Sequence, residues 1–242
     1  MENLQERFQE AVQSFWDARA RQQQKQVEGG RIDAGTRGAV TGGSQMDALE
    51  VLIVDLLEEA GLDRLDAKIG TGLELPGYYR PEKKWDLLVV SNGQLVTALE
   101  FKSHVGPSFG NNFNNRVEEA LGNSTDVWTA FREQRLGLIR PLIGYFLLLE
   151  DTERVHAPVR VAERYFPVDP VFHAASYAQR YATFCQRLVL ERNYDCVCLT
   201  LATQVTSTVV SHPSSELGFH QFAAVIQGHA QARLLQRTAE GR

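Results

Sequence analysis

WDLLVVSNGQLVTALEFKSH, residues Trp85 to His104, is the stretch whose reading decides the fold. Two apolar runs flank Ser91-Asn92-Gly93-Gln94, and Asn-Gly between such runs is the strongest short-range signal for a tight hairpin turn. The spacing predicts a strand over 85–90 and a returning strand over 95–104. Counting outward from the turn, residues whose numbers sum to about 185 oppose one another, so Asp86 and Glu100 are expected as cross-strand neighbours. Side chains alternate faces along a strand, so Glu100 and Lys102 share one face while Leu99 and Phe101 take the other. If helices cover both faces of this sheet, Glu100 and Lys102 are buried, and burying either charge unpaired costs several kcal/mol.

Working outward, Leu4, Phe8, Ala11, Val12, Phe15 and Trp16 recur at helical spacing and predict an amphipathic N-terminal helix over about 2–27. The segment EGGRIDAGTRGAVTGGS, residues 28–44, holds six glycines in seventeen residues and predicts an irregular loop. Ser44 is placed to cap a following helix that stops at Gly61, with Met46, Leu49, Ile53, Leu56 and Leu57 as its apolar stripe and Glu50 inside that stripe. Downstream come a helix from Asn112 to about Gln134, a doubly buried strand over 141–150, a helix near 171–191, a strand from Tyr194 and a helix near 219–236. This alternation predicts an α/β fold, a mixed central sheet flanked by helices, in one domain spanning residues 1–242.

Hydrophobic residues make up 43% and charged residues 23% of the 242, the usage of a globular chain with material for a full core. The N-terminus is polar and acidic, and nowhere does an apolar run reach membrane-spanning length, so the expectation is a cytoplasmic protein with no membrane partner. Cys185, Cys196 and Cys198 match no zinc pattern and read as reduced, buried thiols. A net charge of −5 argues against polyanion binding over the whole surface. Positive charge nevertheless gathers locally, at Arg31 and Arg37 in the glycine-rich loop, at Arg80, Lys83 and Lys84 before the hairpin, and at Lys102 and Arg116, where a local groove could hold DNA.

Two carboxylates facing each other across a hairpin repel unless a cation lies between them. With the Phe101 carbonyl, Asp86 and Glu100 form the oxygen donor set that Mg²⁺ prefers when a substrate phosphate completes its shell. Lys102 is then placed to orient an attacking water. Asp, thirteen intervening residues, then Glu-x-Lys is the D-x(n)-[DE]-x-K spacing of metal-dependent nucleases, a spacing that also arises by chance as solvated charge. Glu50 either edges its stripe toward solvent or supplies an extra catalytic carboxyl. Ser103, His104, Ser108, Asn111, Asn112, Asn114, Asn115 and Arg116 follow as candidate DNA contacts, His104 as either a phosphate contact or a satisfied loop histidine. Asn pairs bidentately with adenine and Arg with guanine or phosphate, although Asn also caps helices, and at least one of Asn111 and Asn112 is expected to do only that.

ALEFKSHVGPSFGNNFNNRVEEALGN, residues 98–123, strongly resembles the XhoI family of type II restriction endonucleases. The similarity extends over nearly the whole chain, including GGRIDAGTRGAVTGG and GYYRPEKKWDLLVV. The resemblance implies a PD-(D/E)xK nuclease fold and Mg²⁺-dependent double-strand cleavage of DNA at CTCGAG, leaving 5′-phosphate ends. It also implies a homodimer, and a methyltransferase acting on the same DNA in a restriction–modification system. The family's catalytic motif falls on Asp86, Glu100 and Lys102, with Trp85 standing where the motif's name has proline. Palindrome and dimer belong together, because a two-fold protein presents the same side chains to both half-sites. A repair or junction-resolving nuclease of the same fold and a catalytically silent DNA-binding protein are the competing readings.

Overall fold

The computed structural model of the chain describes residues 3–28, 45–203 and 208–240. In chain order its helices are α1 (Leu4–Glu28), α2 (Asp47–Glu59), α3 (Phe109–Arg132), α4 (Glu153–His156), α5 (Tyr177–Leu190) and α6 (Phe219–Glu240). Its strands are β1 (Ala67–Ile69), β2 (Glu74–Pro76), β3 (Glu82–Lys84), β4 (Leu87–Ser91), β5 (Gln94–His104), β6 (Leu142–Glu150), β7 (Cys196–Ala202) and β8 (Val210–Ser211).

The hairpin forms as its turn dictates. Asn92 and Gly93 have φ of 52° and 73°, the two left-handed positions that a two-residue turn of this hand requires. Leu87 pairs with Leu99, and the register shifts once, between Val89 and Val90. β4 starts at Leu87 rather than Trp85, because the Trp85 amide turns away to donate to the Leu73 carbonyl. β6 joins β5 in parallel and β7 joins β6 in parallel, with β1 and β8 closing the edges antiparallel. A mixed six-stranded sheet of order β1-β4-β5-β6-β7-β8 results. The connector GYYRPEKK, to which the sequence assigned no element, folds with its flank into a separate ribbon of β2 and β3.

Alternation along the strands divides the core in two. Leu87, Leu99, Phe101 and Phe146 face α1, α2 and α6 through Phe8, Phe15, Ile53, Leu57 and Phe222. Leu88, Ala98, Tyr145 and Leu147 face α3 and α5 through Ala120, Val127, Tyr181 and Phe184. All three cysteines are buried and free. Among the described residues no helix is long and apolar enough to cross a membrane.

Several boundaries differ from expectation. Arg31, Arg37 and Ser44 lie outside the described residues. Met46, not Ser44, occupies the cap position of α2 and makes no side-chain cap, so Asp47 begins the helix and forms no capping box. α3 starts at Phe109 with Ser108 at its cap position, so neither Asn111 nor Asn112 is a cap and all four asparagines lie within its first two turns. Packing outweighs the weak helix propensity of asparagine there, since Phe109 stacks on Tyr177 and Phe113 meets Tyr181 edge-on. α5 starts at Tyr177 rather than near 171, behind a reciprocal capping box of Ser176 and Gln179.

Candidate active site

β5 outruns β4. Beyond Leu99 it keeps its parallel partner β6 and, among the described residues, has no ladder partner on the other edge. Asp86 stands at that opening. Its backbone N–H donates to the Leu99 carbonyl at 3.3 Å, and its Oδ2 accepts the Phe101 N–H at 2.8 Å. One open cleft here brings together Glu50, Lys83, Lys84, Asp86, Glu100, Phe101, Lys102, Ser103 and Arg116.

Glu100 is 1% exposed and fully engaged. Its Oε1 lies 2.9 Å from Lys102 Nζ and 3.3 Å from Lys83 Nζ. Asn123 Nδ2 donates to both oxygens, at 2.8 and 3.0 Å, and the Tyr194 hydroxyl donates to Oε2 at 3.1 Å. Burial alone would raise this carboxyl, but the two ammonium groups and the Asn123 amide outweigh it and hold the pKa at about 2. Burial pulls Lys102 downward in the same way, yet Glu100 and Asp86, whose Oδ2 is 3.8 Å away, leave its pKa above the ordinary value. Lys102 is therefore a cation at neutral pH. Lys83 shows the opposite balance: burial lowers its pKa and the pull of Glu100 only partly compensates. Its ammonium also sits 4.2 Å from the centre of the Trp85 ring.

Glu50 reaches the same cleft from α2 and is buried. Burial first, then the charges of Asp86 and Asp47, raise its pKa to about 7 against the opposing pull of Lys84. A cation bound beside Asp86 would favour the charged form of Glu50. Among the described residues no group of three or more His, Cys, Asp or Glu side chains is assembled as a metal cage. The available donors are the Asp86 and Glu100 carboxylates and the Phe101 carbonyl. In a strand the carbonyl leaves on the same edge as its own N–H, here the edge facing Asp86. Such an oxygen set fits a hard divalent cation that keeps water and phosphate in the rest of its shell.

The remaining expected contacts divide. Arg116 lines the cleft, held by Glu119 at 2.5 Å and the Ser103 carbonyl at 3.3 Å. Asn111, Asn114, Asn115 and Ser108 are exposed along the start of α3, and Asn112 is half-buried. Lys84 lines the cleft while donating to the Gly70 carbonyl. Lys83 turns inward to Glu100 instead of presenting an outward charge. His104 is a correction. It is 2% exposed, its Nδ1 is 2.7 Å from the Tyr181 hydroxyl, and its ring packs on Phe109. Burial, then Arg116, lowers its pKa to about 4, so it stays neutral and inside, out of reach of a phosphate.

Sequence reasoning missed Asn123 and Tyr194, which bind Glu100, and Asp126, and it read Arg80 only as one of the cations before the hairpin, whereas Arg80 and Asp126 stand behind Asn123. The one available signal was the polar run Asn123-Ser124-Thr125-Asp126 in a helix whose neighbouring turns are apolar on that side.

Residues 25–213 match the family model described as restriction endonuclease XhoI. The type II restriction enzyme BstVI of Geobacillus stearothermophilus is 44% identical over 81% of this chain and 92% of its own length. The type II restriction enzyme XhoI of Xanthomonas vasicola is 45% identical over 74% of this chain and 73% of its own, and AbrI of Azospirillum brasilense is 49% identical over 59% and 64%. No solved structure matches the chain.

Proposed function

The chain belongs to the XhoI family of restriction endonucleases, enzymes that cut DNA at specific sites, and on that premise we propose that it cleaves both strands of the palindrome CTCGAG with Mg²⁺, leaving 5′-phosphate ends. The cluster of Asp86, Glu100 and Lys102 at the unpaired edge of β5 carries this reading. Asp86, Glu100 and the Phe101 carbonyl would hold the cation, as in a PD-(D/E)xK site. When bound, Mg²⁺ would polarise the scissile phosphate and offset charge in the transition state.

The protein groups act around that centre. Lys102, held charged between two carboxylates, donates hydrogen bonds and therefore orients a water for in-line attack. Glu50, whose carboxyl pKa burial holds above the ordinary range, faces the same cleft and would accept a proton from that water and pass it to solvent. Arg116 and Lys84 hold the DNA backbone at the mouth of the cleft. Asn111, Asn114 and Asn115 offer paired donors and acceptors to base edges. A homodimer sets one cleft on each strand, and a methyltransferase of the same specificity protects the host's own sites, all in the cytoplasm where that DNA lies.

Digestion of a plasmid carrying a single CTCGAG site, with Mg²⁺ and with EDTA, followed by sequencing of the ends, tests this. One Mg²⁺-dependent cut inside the site is the expected result. Defined cuts elsewhere would overturn the target and keep the chemistry; cutting of branched DNA of any sequence would favour a junction nuclease. Sequence-specific binding without cutting would indicate a silent DNA-binding relative.

A further inference from the structure

Glu100 is tied to the protein surface through a chain of side chains that the nuclease motif does not contain. Asn123, 7% exposed on α3, gives its amide nitrogen to both Glu100 oxygens. Its own Oδ1 accepts from Arg80 Nη2 at 2.7 Å, which fixes which way the amide faces. The same guanidinium gives Nε to Asp126 Oδ2 at 2.6 Å. Asp126 Oδ1 accepts the backbone N–H groups of Tyr78 and Tyr79 at 2.7 and 2.9 Å. Gly77 permits this close seating, since a Cβ there would lie 2.6 Å from the Arg80 carbonyl and 2.7 Å from Asp126. The turn ends outward in Tyr78 and Tyr79, 46% and 70% exposed and packed edge to face.

We propose that Asn123 is a positioning residue for Glu100, and that Arg80 with Asp126 fixes Asn123, so that the exposed Gly77–Arg80 turn is rigidly coupled to the reacting carboxylate. The inference rests on the nuclease reading of Glu100. Glu100 Oε1 serves two lysines at once, so a small rotation of its carboxylate displaces the Lys102 ammonium as well. Misplacement on the scale of ~1 Å costs roughly 10²-fold in rate. Only a planar fork spans Asp126 and Asn123 together; a lysine at position 80 reaches one or the other.

Single-turnover cleavage with enzyme in excess, equilibrium DNA binding in EDTA and thermal melting should be measured for wild type, Asn123→Ala, Arg80→Ala and Arg80→Lys. The expected result is a cleavage rate lowered ~10- to 100-fold in all three variants, with no rescue by lysine and DNA affinity within ~3-fold of wild type. Arg80 is 41% exposed at its side chain, so its variants carry the test if Asn123→Ala fails to fold. Wild-type rates in folded Arg80 variants, or a deficit that higher enzyme concentration removes, would overturn the relay alone. A wild type that cuts no DNA would overturn the nuclease reading and the relay with it.

Discussion

The two halves of β5 belong to one continuous strand and behave as different materials. From Gln94 to Leu99 it is laddered by β4, from Thr97 by β6 on the other edge as well, and Leu95, Val96, Ala98 and Leu99 are buried at 0–3% exposure. From Glu100 onward one edge is open, and the side chains turned toward α3 become a carboxylate, an ammonium and an imidazole. The difference teaches where a sheet can host chemistry. A fully laddered strand has no room for a ligand, whereas one whose neighbour starts late offers backbone and side-chain oxygens in fixed positions beside a cleft.

The sharpest test of that contrast is to remove charge from the open half. Glu100→Ala and Lys102→Ala should each lower cleavage by roughly 10²- to 10⁴-fold, with DNA binding retained. Single-turnover assays beside gel-shift titrations read both quantities. Loss of Glu100 also leaves Lys83 and Lys102 as neighbouring cations, so Glu100→Ala should melt lower than Lys102→Ala.

The closed half should fail in the other way. Leu99 packs directly over Gly144, where an added Cβ would lie 2.5 Å from its Cδ2. Leu99→Ala should therefore cost about 2–5 kcal/mol of stability in denaturant titrations. Cleavage per folded molecule should stay near wild type. A large loss of specific activity in fully folded Leu99→Ala would dissolve the distinction between the halves.

How far each half could be read in advance follows the same line. The hairpin was legible because Asn92-Gly93 fixes a two-residue turn, which brings Asp86 to within one residue of Glu100; the register shift between Val89 and Val90, which no turn signal encodes, supplies the last step. Depth was not legible. Nothing local to His104 shows that Phe109 and Tyr181 seal it from the cleft. Asn123 and Tyr194 reach Glu100 from 23 and 94 residues away, and no local periodicity encodes such a meeting. The helix was expected to start at Asn112, with a cap at Asn111 or Asn112; Phe109 and Phe113 carry it three residues further back through contacts made only in the assembled fold.

Acid should loosen the open half in a defined order. His104 titrates at about 4 when folded against 6.5 ordinarily, so the unfolded chain takes up its proton first and stability falls as pH drops from 6.5 toward 4. Glu100 is held at about 2 against 4.5, so its contribution is present above pH 4.5 and is lost as pH falls toward 2. His104→Gln should flatten the melting-temperature profile between pH 6.5 and 4 and leave the lower limb in place. An unchanged upper limb would mean that His104 is protonated in the folded chain, with the open half wetter than its burial indicates.

The smallest effects are expected at the mouth, where α3 begins. Asn114 and Asn115 are exposed and lie just before Arg116. Replacing either with alanine improves helix propensity slightly, so melting should hold or rise by a few tenths of a kcal/mol. Should one of them read a base, discrimination against a single changed base pair would weaken by about 1–3 kcal/mol while binding to nonspecific DNA stayed constant. Competition binding with CTCGAG and singly substituted duplexes separates this from a phosphate contact, which would weaken every sequence alike and reduce the salt dependence. Equal loss on all duplexes would move sequence reading away from these asparagines and leave the open end of β5 as a cutting site whose specificity is supplied from elsewhere in the chain.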